Sequence, residues 1–208
     1  MRAIFERVLD RPWVYRLQTA VLAPGAEAAI VRAITAVVAA APPARRVLDV
    51  GCGPQSWLTR VNMTPLGTDL SFPYLREYAQ QGGTAVAASA DWLPFATGSF
   101  DAVWSVGLLH HLPLPVAAAA VAEMVRVCRA GGYVAIFDAV LPESRWRRPL
   151  AYAIRRMDRG RFMRSEAALR AVLPPRVGWR CRRFTYARTG LEGLMCWARV
   201  FRPRDESV

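Results

Sequence analysis

The chain contains no lysine: all 28 of its basic Lys/Arg positions are arginine, set against 16 acids for a formal net charge of +12. Histidine is nearly absent too, confined to the adjacent pair His110 and His111. Four cysteines, Cys52, Cys128, Cys181 and Cys196, show neither a CxxC nor any paired spacing. So few imidazoles and thiols, so placed, exclude a sequence-coded metal site and a disulfide framework, and the cysteines are expected to stay reduced. No apolar stretch approaches the roughly 18 uncharged residues of a membrane span, the most apolar run being Ala33 to Ala41. Glu6, Arg7, Asp10 and Arg11 interrupt any secretory leader, so a cytoplasmic protein is expected.

Two phosphate-binding loops are also missing. There is no GxxxxGK[ST], and where a dinucleotide fold needs the third glycine of GxGxxG, after Gly51 and Gly53, the chain has Ser56. That third glycine lets a helix pack closely enough to seat a pyrophosphate on its N-terminus, so the dinucleotide reading is demoted.

What is present suits one globular domain: 208 residues, 53% hydrophobic and 21% charged, without repeats or low-complexity segments. The charge is uneven. Between Arg145 and Arg204 the acids are Asp158, Glu166 and Glu192 alone. A basic C-terminal third points to an anionic substrate, an anionic membrane surface or nucleic acid, or to a merely solvated face.

Hydrophobic periodicity supplies the architecture. Helical stripes run through Ile4, Phe5, Val8 and Leu9, through Trp13 to Val21, and through Ala28, Ile30, Val31, Ile34, Val37 and Val38. Short β-branched runs follow at Arg46–Val50, Thr64–Thr68, Thr84–Ala88, Phe100–Ser105 and Tyr133–Phe137, separated by helix candidates Gln55–Arg60, Pro73–Gln81 and Val116–Cys128. Strands alternating with helices predict βαβ units and a mostly parallel sheet covered on both faces. After a helix around Ser165–Leu173, the runs Trp179–Ala187 and Leu194–Phe201 are spaced as a hairpin.

The strand RVLDVGCGP, from Arg46 to Pro54, ends in Asp49 and a turn with Gly51, Cys52 and Gly53. Glycine there permits positive φ and close approach of a ligand, at the carboxyl end of the strand where α/β sheets bind ligands. The next strand ends in Asp69 and Leu70, and a carboxylate has the acceptor oxygens to take both vicinal hydroxyls of a ribose. Asp91 and Trp92 follow the third strand in ADWLPF, where a carboxylate could accept from an exocyclic adenine amine. The fourth strand, SFDAVWS, carries Ser105 and runs on into LLHHL.

Together LDVGCGP, TDLS, ADWLPF and SFDAVWSVGLLHHL, in this order, resemble the class I S-adenosylmethionine-dependent methyltransferases, nearest their ubiquinone/menaquinone-biosynthesis-like small-molecule branch. The resemblance runs from about Arg46 to Asp138. It implies a Rossmann-like α/β three-layer sandwich with a seven-stranded sheet of order 3-2-1-4-5-7-6, the last strand antiparallel. It also implies S-adenosyl-L-methionine as cofactor. Asp49, Gly51, Cys52 and Gly53 would lie beside the methionine part, Asp69 and Leu70 at the ribose, Asp91 and Trp92 at the adenine, and Ser105 on the sulfonium side. The family turn often has a further glycine where this chain has Gln55, which leaves the shape of the loop open.

Methyl transfer from a sulfonium is an in-line displacement with a leaving group already activated, so orientation and exclusion of water are the main tasks. An acceptor that must lose a proton needs a base, and His110 and His111 stand where one is wanted; Asp138 is a lesser candidate. Trp146, Leu150, Ile154 and Met157 lie at helical spacing beside arginines, as in a lid over an apolar or acidic substrate or a helix resting on a membrane. The expected organisation is one domain: an N-terminal helical lid (1–44), a cofactor-binding core (45–138), a lid insertion (139–164) and a C-terminal helix and hairpin (165–208).

The expected acceptor is a small molecule of quinone, lipid or secondary-metabolite type, with peripheral contact to an anionic membrane as a further expectation. A nucleic-acid methyltransferase is the rival. It lacks support, because after the fourth strand stands Ser-Val-Gly-Leu where an exocyclic-amine enzyme carries Asn/Asp-Pro-Pro-aromatic, and no cysteine follows a proline. A non-catalytic scaffold on the same fold would have no need of acids at 49, 69 and 91.

Overall fold

The computed structural model describes residues 26–157, 161–186 and 189–201. The helical patterns expected before residue 26, including the N-terminal part of the lid, lie outside the described residues. The described chain runs α1 (Ala26–Ala40), β1 (Val47–Val50), β2 (Leu66–Asp69), α2 (Phe72–Gln80), β3 (Thr84–Ala87), β4 (Phe100–Val106) and α3 (Leu114–Val127). It continues with β5 (Cys128–Val140), α4 (Pro149–Met157), α5 (Glu166–Arg170), β6 (Arg180–Thr185) and β7 (Glu192–Arg199).

These strands form a single seven-stranded sheet of order β3-β2-β1-β4-β5-β7-β6. Leu48 pairs with Leu66 and with Val103 in parallel, and Val103 pairs with Val134. β7 then runs antiparallel between β5 and β6, with Ile136 opposite Cys196 and Cys196 opposite Cys181. The α/β class, the strand order and the antiparallel hairpin are as the sequence led us to expect.

Strand residues alternate between two cores because successive side chains point to opposite faces. Leu48, Val50, Val103, Val134 and Ile136 face α3, which buries Ala117, Ala120, Val121, Met124 and Val127. Val47, Ala102, Trp104, Tyr133, Ala135 and Phe137 face α1, which supplies Ile30, Ile34 and Val37 at helical spacing. Residues 26–40 therefore belong to the packed core. Their part of the segment read as a lid is structural.

Three local differences have physical causes. The helix expected over Gln55–Arg60 is a short 3-10 helix, Trp57–Val61, opened by Ser56, whose Oγ accepts the Leu58 N–H at 3.2 Å, and closed by left-handed Asn62. β5 starts directly at the end of α3 and extends to Val140, two residues past the expected end of the core, because β7 pairs with it as far as Glu192. Among the described side chains of α4 the buried ones are Ala151 and Arg155, while Leu150 and, in the turn before the helix, Trp146, both read as part of a lid or membrane-resting stripe, are 71% and 80% exposed.

The cysteine expectation needs correction. Cys181 and Cys196 are register partners, with Cα atoms 4.0 Å apart and their sulfurs bonded in a disulfide. Antiparallel register brings them together, and local spacing carries no trace of that. Cys52 and Cys128 are free and buried. Among the described residues no group of His, Cys, Asp and Glu could hold a metal ion, and no helix is long and apolar enough to cross a membrane.

Candidate functional site

At the carboxyl end of β1 the chain turns through Gly51 (φ 73°) and Gly53 (φ 62°), a region costly for residues with a Cβ. Two hydrogen bonds fix the turn to the neighbouring strand: the N–H groups of Gly51 and Cys52 both donate to the Thr68 carbonyl, at 2.8 and 3.0 Å. A Cβ at Gly51 would come within 2.8 Å of Leu108, whereas one at Gly53 would meet nothing within 4 Å. Gly53 is thus the point where the backbone lies open to a ligand. The Cys52 side chain turns away and packs with Leu75 and Tyr78, so Cys52 offers only its backbone here.

Asp49 lies beneath the turn, 1% exposed. Its Oδ2 accepts from Ser56 Oγ at 2.5 Å, and its Oδ1 is buried without a partner. Burial raises its pKa to about 7, opposed by the Ser56 hydrogen bond and reinforced by the charge of Asp69. A buried carboxylate with an unsatisfied oxygen is suited to a cationic neighbour. Asp69, at the end of β2, accepts the Gly53 N–H at 3.1 Å and the Ser71 N–H at 2.8 Å, one on each oxygen. Each oxygen keeps a second lone pair for a hydroxyl donor. Burial raises its pKa as well, partly offset by those backbone N–H groups.

After β3, Asp91 is hydrogen-bonded by Ser89 Oγ, and Trp92 N–H donates to the Ser89 carbonyl at 3.1 Å. The side chains of Leu70 and Trp92 are 67% and 77% exposed, two apolar faces open among the described residues. The loop that carries Trp92 is clamped from α3: Glu123 accepts the Leu93 N–H at 2.9 Å, and Arg126 donates to the carbonyls of Leu93 and Phe95 at 3.0 and 2.9 Å while paired to Glu123. Sequence reasoning passed over Glu123 and Arg126. Their signal is an i, i+3 acid–base pair on a helix, common to ordinary solvated faces.

Past β4, a 3-10 turn, Leu109–His111, presents both histidines. Asp138, buried at the end of β5, accepts the backbone N–H of His110 at 3.0 Å and pairs with its ring Nδ1. Burial raises the Asp138 pKa, but the charge and hydrogen bond of His110 outweigh it and hold the carboxyl below its ordinary value. The His111 ring, on the exposed side, lies 4.0 Å from that of His110. Buried Arg164 braces the turn from below, donating to the carbonyls of Leu109, at 2.5 Å, and of Leu112. Arg164 has no recognisable sequence signal, because it reaches the turn across 55 residues of chain. Ser105, expected to line the site, is fully buried with its Oγ unpartnered and lies in the floor beneath it.

The structure thus brings Asp49, the glycine turn, Asp69, the Asp91–Trp92 loop and the histidine turn to one end of the sheet. This set fits S-adenosylmethionine chemically: open apolar faces for a purine, an acceptor-rich carboxylate for a sugar, and an unsatisfied buried carboxylate for a cationic end.

Comparison with known proteins agrees. The methyltransferase domain family matches residues 48–136. The chain is 36% identical over 108 residues to methyltransferase GfsG of Streptomyces halstedii, covering 46% of this chain and 38% of that protein. It is 34% identical over 122 residues to a demethylmenaquinone methyltransferase of Roseiflexus castenholzii, covering 54% and 50%. The match to the tRNA (carboxymethyluridine(34)-5-O)-methyltransferase of Arabidopsis thaliana is 32% over 108 residues, covering 50% and 26%. The chain therefore spans half or less of the length of these curated relatives. Among solved structures, a possible histamine N-methyltransferase from Thermotoga maritima superposes with a TM-score of 0.68 at 15% identity, over 93% of this chain and 99% of that one. A geranyl diphosphate methyltransferase in complex with S-adenosylmethionine gives 0.64 at 13%, over 83% and 84%. Fold and sequence match together make residues 48–136 a methyltransferase domain of the class I S-adenosylmethionine-dependent family, whose methyl donor is S-adenosyl-L-methionine.

Proposed function

We propose that this chain transfers a methyl group from S-adenosylmethionine to a small, apolar or acidic acceptor that must lose a proton, with His110 as the base. The observation that carries the reading is the double hold of Asp138 on His110 at the crevice mouth. An acceptor of the carboxylate type would need no such base.

When bound, the donor supplies a methyl group on an already activated sulfonium. The chain's own residues do the rest. Gly51 and Gly53 admit the donor against bare backbone, Asp69 grips the sugar hydroxyls, and Asp91, Leu70 and Trp92 hold the purine. Asp49 balances the cationic end from beneath. Asp138 keeps a proton on Nδ1 of His110, which makes Nε2 the basic nitrogen, and stabilises the imidazolium formed when the acceptor proton arrives. His111, whose ring lies 4.0 Å from that of His110 on the exposed side, is the lesser candidate for base.

An apolar acceptor is supported by the relative named as acting on demethylmenaquinone and by the apolar side chains exposed around the histidine turn, Phe162 and Leu114. The test is a transfer assay with methyl-labelled donor against a panel of phenols, quinols, carboxylic acids and tRNA. Label is expected in a phenolic or quinol acceptor, and lost in His110→Ala. Transfer only to carboxylates, or undiminished transfer by His110→Ala, would rule out the base. Label in tRNA alone would rule out the small-molecule acceptor.

A further inference from the structure

Among the described residues, the large apolar side chains left exposed are Leu70, Phe72, Trp92, Leu114, Trp146, Leu150, Phe162 and Phe201. All but Phe201 lie on the rim at the carboxyl ends of the parallel strands. Leu70, Phe72 and Trp92 stand on the side of the glycine turn. Leu114 and Phe162 stand beside the histidines, the Phe162 N–H donating to the His110 carbonyl at 3.1 Å, and Trp146 and Leu150 lie on the segment that follows β5.

The outward stripe of α4 is held in place. Arg155, buried on the opposite side of the helix, donates to the Glu192 carbonyl at 3.0 Å, and Arg148 donates to the Gly190 carbonyl at 3.0 Å. Rolling Leu150 inward on α4 would break the Arg155 anchor, and Trp146 stands in the turn just ahead of the helix, next to the Arg148 anchor. Exposure of the leucine is therefore built into the docking of the helix, and the turn before it leaves the indole 80% exposed.

Around this segment the exposed charge is mainly basic among the described residues. Arg145, whose guanidinium lies 4.8 Å from the Trp146 ring centre, Arg147 and Arg161 are exposed, and the exposed carboxylate of the described residues in this segment is Glu143. We propose that this rim docks onto an anionic lipid bilayer, with Trp146 and Leu150 entering the interface and Arg145 and Arg147 meeting the headgroups. An interfacial element of this kind combines apolar insertion with electrostatic attraction to anionic lipid. The side chains are exposed at separate positions along the chain, which suits a deformable lipid surface that needs no matching shape. Docked so, the crevice opens toward the lipid phase. The residues that carry the proposal, Trp146, Leu150, Arg145 and Arg147, have no part in the methyl-transfer reading, and the test reads no turnover.

The test is sedimentation of the full chain with vesicles of phosphatidylcholine, with and without phosphatidylglycerol, at rising salt. The protein is expected to sediment with the phosphatidylglycerol vesicles and to be released by salt. Trp146→Ala combined with Leu150→Ser is expected to weaken binding on the order of tenfold, and Arg145→Gln combined with Arg147→Gln to flatten the salt dependence. Arg180→Gln with Arg182→Gln, on edge strand β6, is expected to bind as wild type does. Circular dichroism checks the fold of each variant, and quenching of Trp146 by brominated lipid, read as the difference from Trp146→Phe, reports insertion independently. Wild-type protein left in solution by both vesicles would overturn the proposal. So would rim variants that bind fully while the Arg180/Arg182 variant does not, or protein that ignores vesicles and binds tRNA.

Discussion

The carboxylate of Asp138 holds His110 twice, at the ring Nδ1 and at the backbone N–H. One acid thereby fixes both the tautomer and the position of the imidazole, and Arg164 holds the same turn by its carbonyls. Asp138→Asn keeps the shape but can present an amide N–H to Nδ1, which favours the wrong tautomer. It is expected to lower kcat by about 10²–10⁴-fold with S-adenosylmethionine affinity unchanged in calorimetry. Full turnover in a folded Asp138→Asn protein would show that the pair is structural only.

Asp49 is expected to make donor binding depend on pH. Its folded-state pKa, about 7 because of burial, lies above the ordinary value of 3.8. Between those values the folded chain holds a proton that the unfolded chain has released, so the contribution of Asp49 to stability is full below the lower value and declines as pH rises toward 7. A cation placed beside it favours the ionised form. S-adenosylmethionine binding at pH 6 is therefore expected to release protons and to tighten as pH rises to 7, measured by calorimetry in buffers of different ionisation enthalpy. Asp49→Asn should abolish the release. Binding heats that do not depend on the buffer would contradict this account.

The two glycines of the turn should separate stability from binding. Alanine at either position pays about 1–2 kcal/mol for its left-handed backbone. At Gly51 the new methyl also meets Leu108 at 2.8 Å, while at Gly53 it meets no protein atom within 4 Å and projects into open space. Gly51→Ala is expected to be the less stable in urea denaturation. Gly53→Ala is expected to fold well yet bind S-adenosylmethionine at least about tenfold more weakly, through lost close approach. Equal donor affinity in Gly53→Ala and wild type would place the ligand elsewhere.

How legible all this was depended on whether a feature is local. Asp49, Gly51, Gly53 and Asp69 were readable because a strand end and its turn are contiguous in sequence, and the sheet order followed once the pattern RVLDVGCGP and its partners were recognised. The hairpin of β6 and β7 was readable from the spacing of its two runs. Side-chain contacts that span many residues were not. Arg164 under Leu109, Arg126 on Leu93 and Phe95, and Cys181 against Cys196 are set by register and helix docking, which leave no periodic mark. Which way the α4 segment faces was left open by the sequence for a related reason. The apolar spacing of Trp146 and Leu150 identified a stripe, but the buried anchor Arg155 decides which way it points.

The cross-strand pair gives the last prediction, and it bears on compartment. A disulfide in a cytosolic chain is uncommon, because cytosolic thiols are kept reduced. Cys181 is only partly buried and so lies within reach of a reductant, whereas Cys196 is 1% exposed. Protein isolated under air, unfolded without reductant and treated with iodoacetamide is expected to be alkylated at Cys52 and Cys128 alone, and at all four cysteines after reduction. The link closes a loop of sequence separation 15, for which loss of the bond costs about 3 kcal/mol by constraint of the unfolded chain. Urea denaturation with and without reductant should show that difference, and Cys181→Ser with Cys196→Ser should reproduce the reduced curve under both conditions. Alkylation of four thiols before reduction would show that the register partners stay unlinked, with the β6–β7 hairpin held by its hydrogen bonds alone.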